Sequence, residues 1–295
     1  MADWFDGCYG TDPERVDVLD MAGRWLATYT VGARTVPSTG PERRFSEDGR
    51  TVRHRVWVRT LAEPFRLADF DSEWLLAALR ANASGVPDIL AFAFQYVAGS
   101  RRRWKDGRQI AGDARYGPVI GPTREEGADF NDYLGIVGTY PDEPADPPEV
   151  RQIRALDCSG YVRMVYGCRP DLETAAVCHS VPLCRTPRKD RAALSRRAHE
   201  MATAGPGVMV IPIGSRCPAD VGALAPGDLV FFDSDASGSR LDHVGIYLGL
   251  DTRGRRRFIS SRKRANGPTM GDRGGRSILD GAGLYARSFR AARRL

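Results

Sequence analysis

Two segments with different hydrophobic periods constrain the fold of this chain more than any other feature. After Asp157, a residue type that caps helices, apolar residues recur at helical spacing as far as Gly167. In residues 243–249, apolar residues alternate with histidine, glycine and tyrosine, which is the period of a strand. The chain therefore predicts a helix that begins at Cys158 and a strand that begins at His243.

Further strands are predicted on both sides of the histidine strand. Pro226 and Gly227 form a turn signal, and the β-forming run 229–232 follows it. We expect this run to pair antiparallel with the histidine strand. Residues 250–256 fit a hairpin loop, after which residues 257–261 form the next strand.

The two segments also carry a candidate nucleophile and its base. At a helix N-terminus, the macrodipole and the unpaired backbone N–H groups favour a thiolate and can stabilise an oxyanion. Taken alone, Cys158 is more typical of a buried structural thiol, and His243 of a strand histidine. Together they predict a cysteine nucleophile that is activated by a histidine.

Three motifs carry a family resemblance. Asp-Cys-Ser-Gly at 157–160, Pro-Gly-Asp-Leu-Val-Phe-Phe at 226–232 and His-Val-Gly-Ile-Tyr-Leu-Gly at 243–249 occur in the order found in the NlpC-type papain-like peptidoglycan endopeptidases. Residues 86–295 resemble that family. The resemblance implies an α+β fold with a papain-like cysteine hydrolase core, in which an N-terminal nucleophile helix packs on an antiparallel sheet.

The same resemblance implies an activity. It predicts a cysteine peptidase that hydrolyses an amide bond in peptidoglycan stem peptides, between D-glutamate and the following diamino acid, without a cofactor. Two alternatives remain open. One is an amidase or acyl-transfer enzyme with the same Cys–His dyad, and the other is a catalytically silent cell-wall-binding module.

The resemblance further implies a third polar residue, on the strand after His243, that orients the imidazole. Pairing across a hairpin centred near Thr252 places residues 260–262 opposite the histidine, and Ser260 matches the family position. A serine is short and neutral, so it stabilises an imidazolium less than a carboxylate does. The alternatives for this role are Ser261, a backbone carbonyl group and Asp242.

Substrate-binding residues are implied in the same way. In the family, the Asp and Ser of the first motif bind the free amine of a stem peptide, which assigns this role to Asp157 and Ser159. A helix N-cap and an ordinary first-turn serine fit these positions equally well. A tyrosine upstream of the cysteine lines the groove in the family; Tyr116 is the candidate here, with Tyr96 as the alternative and a core or loop role also open.

The region before the catalytic motifs is predicted to be an accessory region, residues 1–85. Residues 25–31 and 51–60 have strand patterns, the Pro-Ser-Thr-Gly-Pro cluster at 37–41 predicts a turn, and a capped helix is predicted after Asp71. We expect an extension that packs on the catalytic core. A substrate- or partner-binding module is the alternative.

The catalytic domain is predicted at residues 86–295, with an insertion at about 99–150. Its first helix fits residues 87–97, and a later one fits residues 190–202. An insertion this long is uncommon in a compact domain unless it is functional or disordered. We expect it to border the substrate groove as a lid, or to be a surface excursion. In the lid reading, the basic residues 101–105 meet substrate carboxylates.

Charge and cysteine content limit the partners. A net charge of +6 favours anionic partners, but the arginine clusters lack the interleaved aromatic residues of nucleic-acid readers. Peptidoglycan or muropeptides are therefore the expected partners, with no nucleic acid; the oligomeric state is left open. If Cys158 stays free, five cysteines remain, which cannot all pair in disulfides. Cys178-His179 and Cys184 fit no closed zinc site, so no metal is expected.

The location of the protein is not fixed by the sequence. The N-terminal residues show no basic segment followed by an apolar run, and no stretch is apolar for long enough to span a membrane. The family resemblance implies a secreted or cell-envelope protein, although no signal peptide is visible. A cytoplasmic protein and phage-type delivery are the alternatives.

Overall fold

The structure, a computed structural model, describes residues 6–141, 143–168, 176–235 and 240–295. It mixes helices with antiparallel sheets. None of the helices in these ranges is both long and apolar enough to cross a membrane.

The N-terminal part is a five-stranded meander in which each strand pairs antiparallel with the next. Its strands are β1 (Asp6–Thr11), β2 (Glu14–Leu19), β3 (Trp25–Thr30), β4 (Thr35–Glu47) and β5 (Arg50–Thr60). Helix α1 (Ser72–Ala83) packs against β4, and the Asp71 carboxylate caps it by accepting hydrogen bonds from the Glu73 and Trp74 N–H groups. The predicted strands at 25–31 and 51–60 and the capped helix are thus confirmed.

The predicted turn at 37–41 is wrong, because these residues lie inside β4. Pro37 pairs with Val58 of β5, and the register then shifts between Thr39 and Arg43. A bulge of this kind lets a strand pass a proline that cannot donate a hydrogen bond, here Pro41.

The C-terminal part contains a six-stranded antiparallel sheet with the order β12-β17-β13-β14-β15-β16. Its strands are β12 (Val208–Ile211), β13 (Leu229–Phe232), β14 (His243–Leu250), β15 (Arg256–Arg262), β16 (Gly267–Thr269) and β17 (Phe289–Arg294). Phe232 of β13 lies opposite His243 of β14, which confirms the predicted antiparallel pair. The hairpin between β14 and β15 also falls where the sequence predicts it.

In the described ranges, five further α-helices accompany the two sheets: α2 (Ile89–Ala93), α3 (Phe130–Leu134), α4 (Cys158–Tyr166), α5 (Ala198–Ala204) and α6 (Leu284–Ser288). All residues of α4 are buried, and the helix packs on β14 and β15 with α2 and α3 beside it. Val162 and Val165 share one hydrophobic cluster with Ile246 and Leu248. Each such side chain contributes about 1.5–3 kcal/mol when fully buried, so this packing fixes the helix on the sheet.

Two helix predictions need adjustment. The helix predicted at 87–97 is shorter: α2 continues only as a 3₁₀ turn, Phe94–Tyr96. The helix predicted at 190–202 is wrong over its first half, since α5 begins at Ala198. The backbone N–H of Leu194 donates to the Pro182 carbonyl, and its own carbonyl accepts from Cys184, so these groups are not free for helical bonds.

The segment at 99–150 contains three short hairpins besides α3. They are β6 (Arg103–Lys105) with β7 (Arg108–Ala111), β8 (Val119–Ile120) with β9 (Thr123–Arg124), and β10 (Gly138–Tyr140) with β11 (Glu143–Asp146). Tyr133 and Leu134 of α3 lie in the main hydrophobic core, and the Asp129 carboxylate pairs with Arg163 of α4 at 2.9 Å. Part of the segment therefore belongs to the hydrophobic core, and a lid or a surface excursion for the remainder stays a prediction. Asp142 of this segment lies outside the described residues.

The N-terminal meander contacts the C-terminal sheet along several strands. His54 Nε2 lies 2.9 Å from the Leu248 carbonyl oxygen, and Glu47 accepts a hydrogen bond of 2.6 Å from the Thr269 hydroxyl. Arg294 donates to the Thr30 hydroxyl at 2.9 Å. A domain boundary near residue 85 stays a prediction.

Candidate active site

The start of α4 places Cys158 at a helix N-terminus. The Asp157 carboxylate accepts a hydrogen bond of 2.7 Å from the Gly160 N–H and so caps the helix. A side chain at position 160 could not fit, because its Cβ would lie 2.2 Å from the Ala128 carbonyl oxygen. The backbone N–H groups of the first helical residues have no acceptor within the helix, which makes those of Cys158 and Ser159 candidate oxyanion donors.

His243 is the first residue of β14, at the end of the sheet where α4 begins. The Cys158 Sγ lies 3.9 Å from the carbonyl oxygen of Asp242, the residue before the histidine. The imidazole is buried beside Phe232 and Tyr285, with ring centroids 5.8 and 5.2 Å away. The structure therefore places the thiol of the predicted nucleophile beside the backbone at the start of the histidine strand.

Ser260 contacts the imidazole, as the pairing argument predicts. The serine Oγ lies 3.0 Å from His243 Nε2, which leaves Nδ1 as the ring nitrogen that can take the thiol proton. The alternatives are engaged elsewhere: Ser261 donates to the Leu156 carbonyl, and the Asp242 carboxylate accepts hydrogen bonds from the Ser234 and Asp235 N–H groups. The catalytic role of Ser260 remains a prediction.

Arg262 stands behind Ser260, and the sequence analysis missed it. Its Nε donates to the Ser260 Oγ at 2.9 Å, and its guanidinium lies 4.4 Å from the centroid of the Tyr285 ring. Side chains two residues apart on a strand share a face, so the alternation of β15 carried a usable signal for this contact.

A comparison with known protein families covers this part of the chain. Residues 148–269 match the NlpC/P60 family. The matched segment contains Cys158, His243 and Ser260, and it confirms the family resemblance of the sequence motifs. It lies inside the 86–295 range and is shorter than it. Neither a curated protein nor a solved structure matches the chain. The family match indicates a cell-wall peptidase or hydrolase.

The surroundings of the candidate nucleophile and base favour their uncharged forms. Burial, reinforced by the positive charge of Arg262 and opposed by Asp157, lowers the pKa of His243 to about 3. Burial and then the Asp157 carboxylate raise the pKa of Cys158 well above its ordinary value, although a hydrogen bond from the backbone N–H of Val244 lowers it. A neutral thiol beside a neutral imidazole is therefore the favoured resting state at neutral pH.

The two residues assigned to amine binding already have a cationic partner. Arg196, from the irregular segment before α5, lies 2.9 Å from Asp157 Oδ2 and donates to the Ser159 hydroxyl at 2.8 Å. Burial raises the pKa of Asp157, but Arg196 and two backbone N–H groups outweigh it and hold that pKa below its ordinary value. No local pattern marks Arg196, because only the tertiary fold brings it to the helix start.

Tyr116, rather than Tyr96, lies near the thiol. Burial and then the proximity of Cys158 raise the pKa of Tyr116, and its hydroxyl lies 3.3 Å from Glu126 Oε1. The Tyr96 hydroxyl donates to the Ile110 carbonyl at 3.2 Å inside the core. A substrate role for Tyr116 remains a prediction.

Within the segment at 99–150, residues 126–129 border the nucleophile. The Gly127 N–H donates to Asp157 Oδ2 at 3.1 Å, and Glu126 forms an ion pair of 2.6 Å with Lys263. The basic residues 101–105 lie on and before the β6–β7 hairpin instead. Their predicted contact with substrate carboxylates stays a prediction.

The cysteines and potential metal ligands are dispersed. All six cysteines lie in the described ranges, and no disulfide bond joins them. Within those ranges, no group of three or more His, Cys, Asp or Glu side chains is arranged to hold a metal ion.

Proposed function

We propose that the protein is a papain-like cysteine endopeptidase that acts on peptidoglycan at the cell wall. Its substrate would be the amide bond between D-glutamate and the following diamino acid of a stem peptide. The observation that carries this proposal is that the Cys158 thiol, at the N-terminus of α4, lies 3.9 Å from the backbone carbonyl oxygen of the residue before His243. The NlpC/P60 match of the same segment supports it at the level of a cell-wall hydrolase.

The first half of the reaction would form a thioester. The Cys158 sulfur attacks the carbonyl carbon while its proton passes to His243 Nδ1, and the backbone N–H groups at the start of α4 stabilise the oxyanion. When the carbon–nitrogen bond breaks, the imidazolium gives its proton to the leaving amine. Ser260 orients the ring throughout by its contact with Nε2.

The second half would release the product. A water molecule gives a proton to His243 as its oxygen attacks the thioester carbon, and the carbon–sulfur bond then breaks. The proton returns from the imidazole to the thiolate, so the enzyme regains its starting state. None of these steps needs a cofactor.

Tyr116 is a proposed substrate contact. Asp157 and Ser159, which the family resemblance assigns to the substrate amine, already contact Arg196. Since Arg196 already neutralises Asp157, a substrate amine gains little there unless it displaces the guanidinium. We therefore expect stem peptides with a blocked N-terminus to be cleaved about as well as those with a free one. Paired kcat/KM measurements on one peptide, with and without N-acetylation, test this expectation.

The proposal is tested by digestion of purified peptidoglycan. The wild-type protein should release fragments with one new amine and one new carboxyl end at the D-glutamyl bond, identified by mass spectrometry, whereas Cys158→Ala should release none. New ends at a different amide or ester would favour the amidase or acyl-transfer alternative. Binding to the sacculi without any new ends would favour the silent binding module.

A further inference from the structure

Two arginines of the same strand differ in their surroundings. Arg257 and Arg262, near the two ends of β15, are both 2% exposed. Arg257 forms ion pairs with Asp251 at 2.9 Å and with Asp272 at 3.2 Å. Within the described ranges Arg262 forms no ion pair. Glu47 and Asp272 act on it electrostatically without being paired to it, so this buried positive charge near the active site has no carboxylate in contact with it.

The hydrogen-bond partners of Arg262 are all uncharged. Its Nε donates to Ser260 Oγ at 2.9 Å, and its two terminal nitrogens donate to the Gly275 carbonyl and the Ser277 hydroxyl, each at 2.6 Å. Burial lowers the pKa of Arg262 to about 10, which leaves the guanidinium charged at neutral pH. The hydrogen bonds therefore give each of its three nitrogens an acceptor without neutralising the guanidinium.

A single atom, Ser260 Oγ, contacts both the Arg262 guanidinium and the His243 imidazole. Ser260 Oγ lies 2.9 Å from Arg262 Nε and 3.0 Å from His243 Nε2. The two nitrogens are consequently no more than about 6 Å apart, a distance at which like charges repel strongly in a buried site. Ser260 has one acceptor position left for Nε2–H, and it brings no negative charge.

The other groups around the imidazole offset this charge only in part. Phe232 of β13 is apolar, and Tyr285 of α6 is held neutral because burial raises the pKa of its hydroxyl. Asp157, at the start of α4 beside the thiol, is neutralised by Arg196. A protonated His243 would thus have a cation behind it, while the carboxylate that favours the protonated ring, Asp157, is already paired with Arg196.

We propose that Arg262 is a positioning residue that acts through Ser260: it keeps His243 uncharged in the resting enzyme, so that Cys158 stays a thiol until it attacks. The inference rests on the proposed function, because it concerns the same dyad. In the attack, the sulfur–carbon bond forms as the sulfur–hydrogen bond breaks, and that proton moves to Nδ1 while the carbonyl electron pair moves to oxygen. The proton then leaves with the amine, so no charged dyad precedes the substrate.

The test follows the alkylation of Cys158 by iodoacetamide as a function of pH, read by mass spectrometry on the peptide that contains this cysteine. In the wild-type protein the rate should rise in a single alkaline step, without a plateau on the acid side. In Arg262→Met, the imidazolium can form, and we expect alkylation at about pH 6 to be at least about tenfold faster. Arg264→Met removes an exposed arginine nearby and should behave as wild type.

Two results would overturn the inference. One is a wild-type plateau of high reactivity from about pH 5 to 8, which marks a preformed thiolate–imidazolium pair. The other is an Arg262→Met profile identical to that of the wild type, with circular dichroism showing an intact fold. If the variant does not fold, the wild-type profile still decides. The assay needs no substrate, so a protein that shows the predicted shift but leaves peptidoglycan intact contradicts the proposed function and not the role of Arg262.

Discussion

Two arginines flank the candidate dyad, and their partners differ. On the thiol side, Arg196 lies 2.9 Å from the Asp157 carboxylate. On the imidazole side, Arg262 donates to the neutral hydroxyl of Ser260 at 2.9 Å. The thiol side is thus charge-balanced, whereas the imidazole side carries a positive charge with no carboxylate in contact with it.

The difference assigns the two residues different tasks. Arg196 also donates to the Gly127 carbonyl at 2.6 Å, so it joins residues 127–129 to the start of α4. Its removal would leave the buried Asp157 carboxylate without its cation. Removal of Arg262 leaves no carboxylate without a partner, since its acceptors are neutral. We therefore expect stability to depend mainly on Arg196, and proton chemistry mainly on Arg262.

The largest effect should come from removing the dyad that both arginines flank. Cys158→Ala and His243→Ala should each lower hydrolysis by about 10³-fold or more, since the two groups act as a unit. The melting temperature of Cys158→Ala should stay close to that of the wild type. Cys217→Ala, at an exposed thiol, serves as the control. Full activity of the Cys158 variant would end the cysteine-peptidase account.

The next largest effect is a difference in stability between the variants of the two arginines. Arg196→Met should lower the free energy of unfolding by about 3 kcal/mol, because a buried ion pair loses one partner. Arg262→Met should lower the free energy of unfolding by less. Adding Asp157→Asn to Arg196→Met should recover part of the loss. Urea denaturation of the four proteins measures this difference; equal losses for the two arginine variants would remove the contrast.

A smaller loss of activity is expected when the serine that contacts the imidazole is replaced. Ser260→Ala should lower kcat/KM by about tenfold, because it removes one neutral hydrogen bond to a ring that the surrounding packing still holds. The measurement compares it with His243→Ala on the same substrate. A loss equal to that of His243→Ala would make Ser260 as essential as the base itself.

The smallest expected effect is a change in how the stability of the fold depends on pH. The folded pKa of His243, about 3, lies below its unfolded value, so its contribution is fully present above about pH 6.5 and is lost as the pH falls toward 3. His54, with a folded pKa of about 4, acts in the same window. In Arg262→Met the difference in melting temperature between pH 7 and pH 5 should shrink by about 2 °C, since only the His243 part changes. His54→Gln provides the matched comparison. If the melting-temperature difference between pH 7 and pH 5 is the same in Arg262→Met as in the wild type, Arg262 does not lower the pKa of His243.

Local patterns in the sequence predict the parts of the site that depend on neighbours in the chain. A cap followed by helical spacing predicts the start of α4 at Cys158, and strand alternation with hairpin pairing predicts the contact of Ser260 with His243. Arg196 lies in an irregular segment, and its position at Asp157 depends on how that segment packs. This contact has no signature along the chain.

The failed predictions have the same origin. The proline cluster at 37–41 has the composition of a turn, but pairing with β5 and a bulge keep it in a strand. Residues 190–197 have helical composition, but Leu194 is bonded to another loop. In the segment at 99–150, the ion pair of Asp129 with Arg163 is likewise a tertiary contact that no local pattern marks. In each case tertiary contacts outweigh local preference.

The most direct test of the cysteine-peptidase account is to trap the acyl-enzyme. A stem peptide is mixed with the wild-type protein, the reaction is quenched in acid within one turnover, and the digest is analysed by mass spectrometry. The account predicts a thioester on the Cys158 peptide that carries the acyl portion ending in D-glutamate, and no such species in Cys158→Ala. Hydrolysis of the peptide without any adduct at Cys158, or with the adduct on another residue, would contradict it.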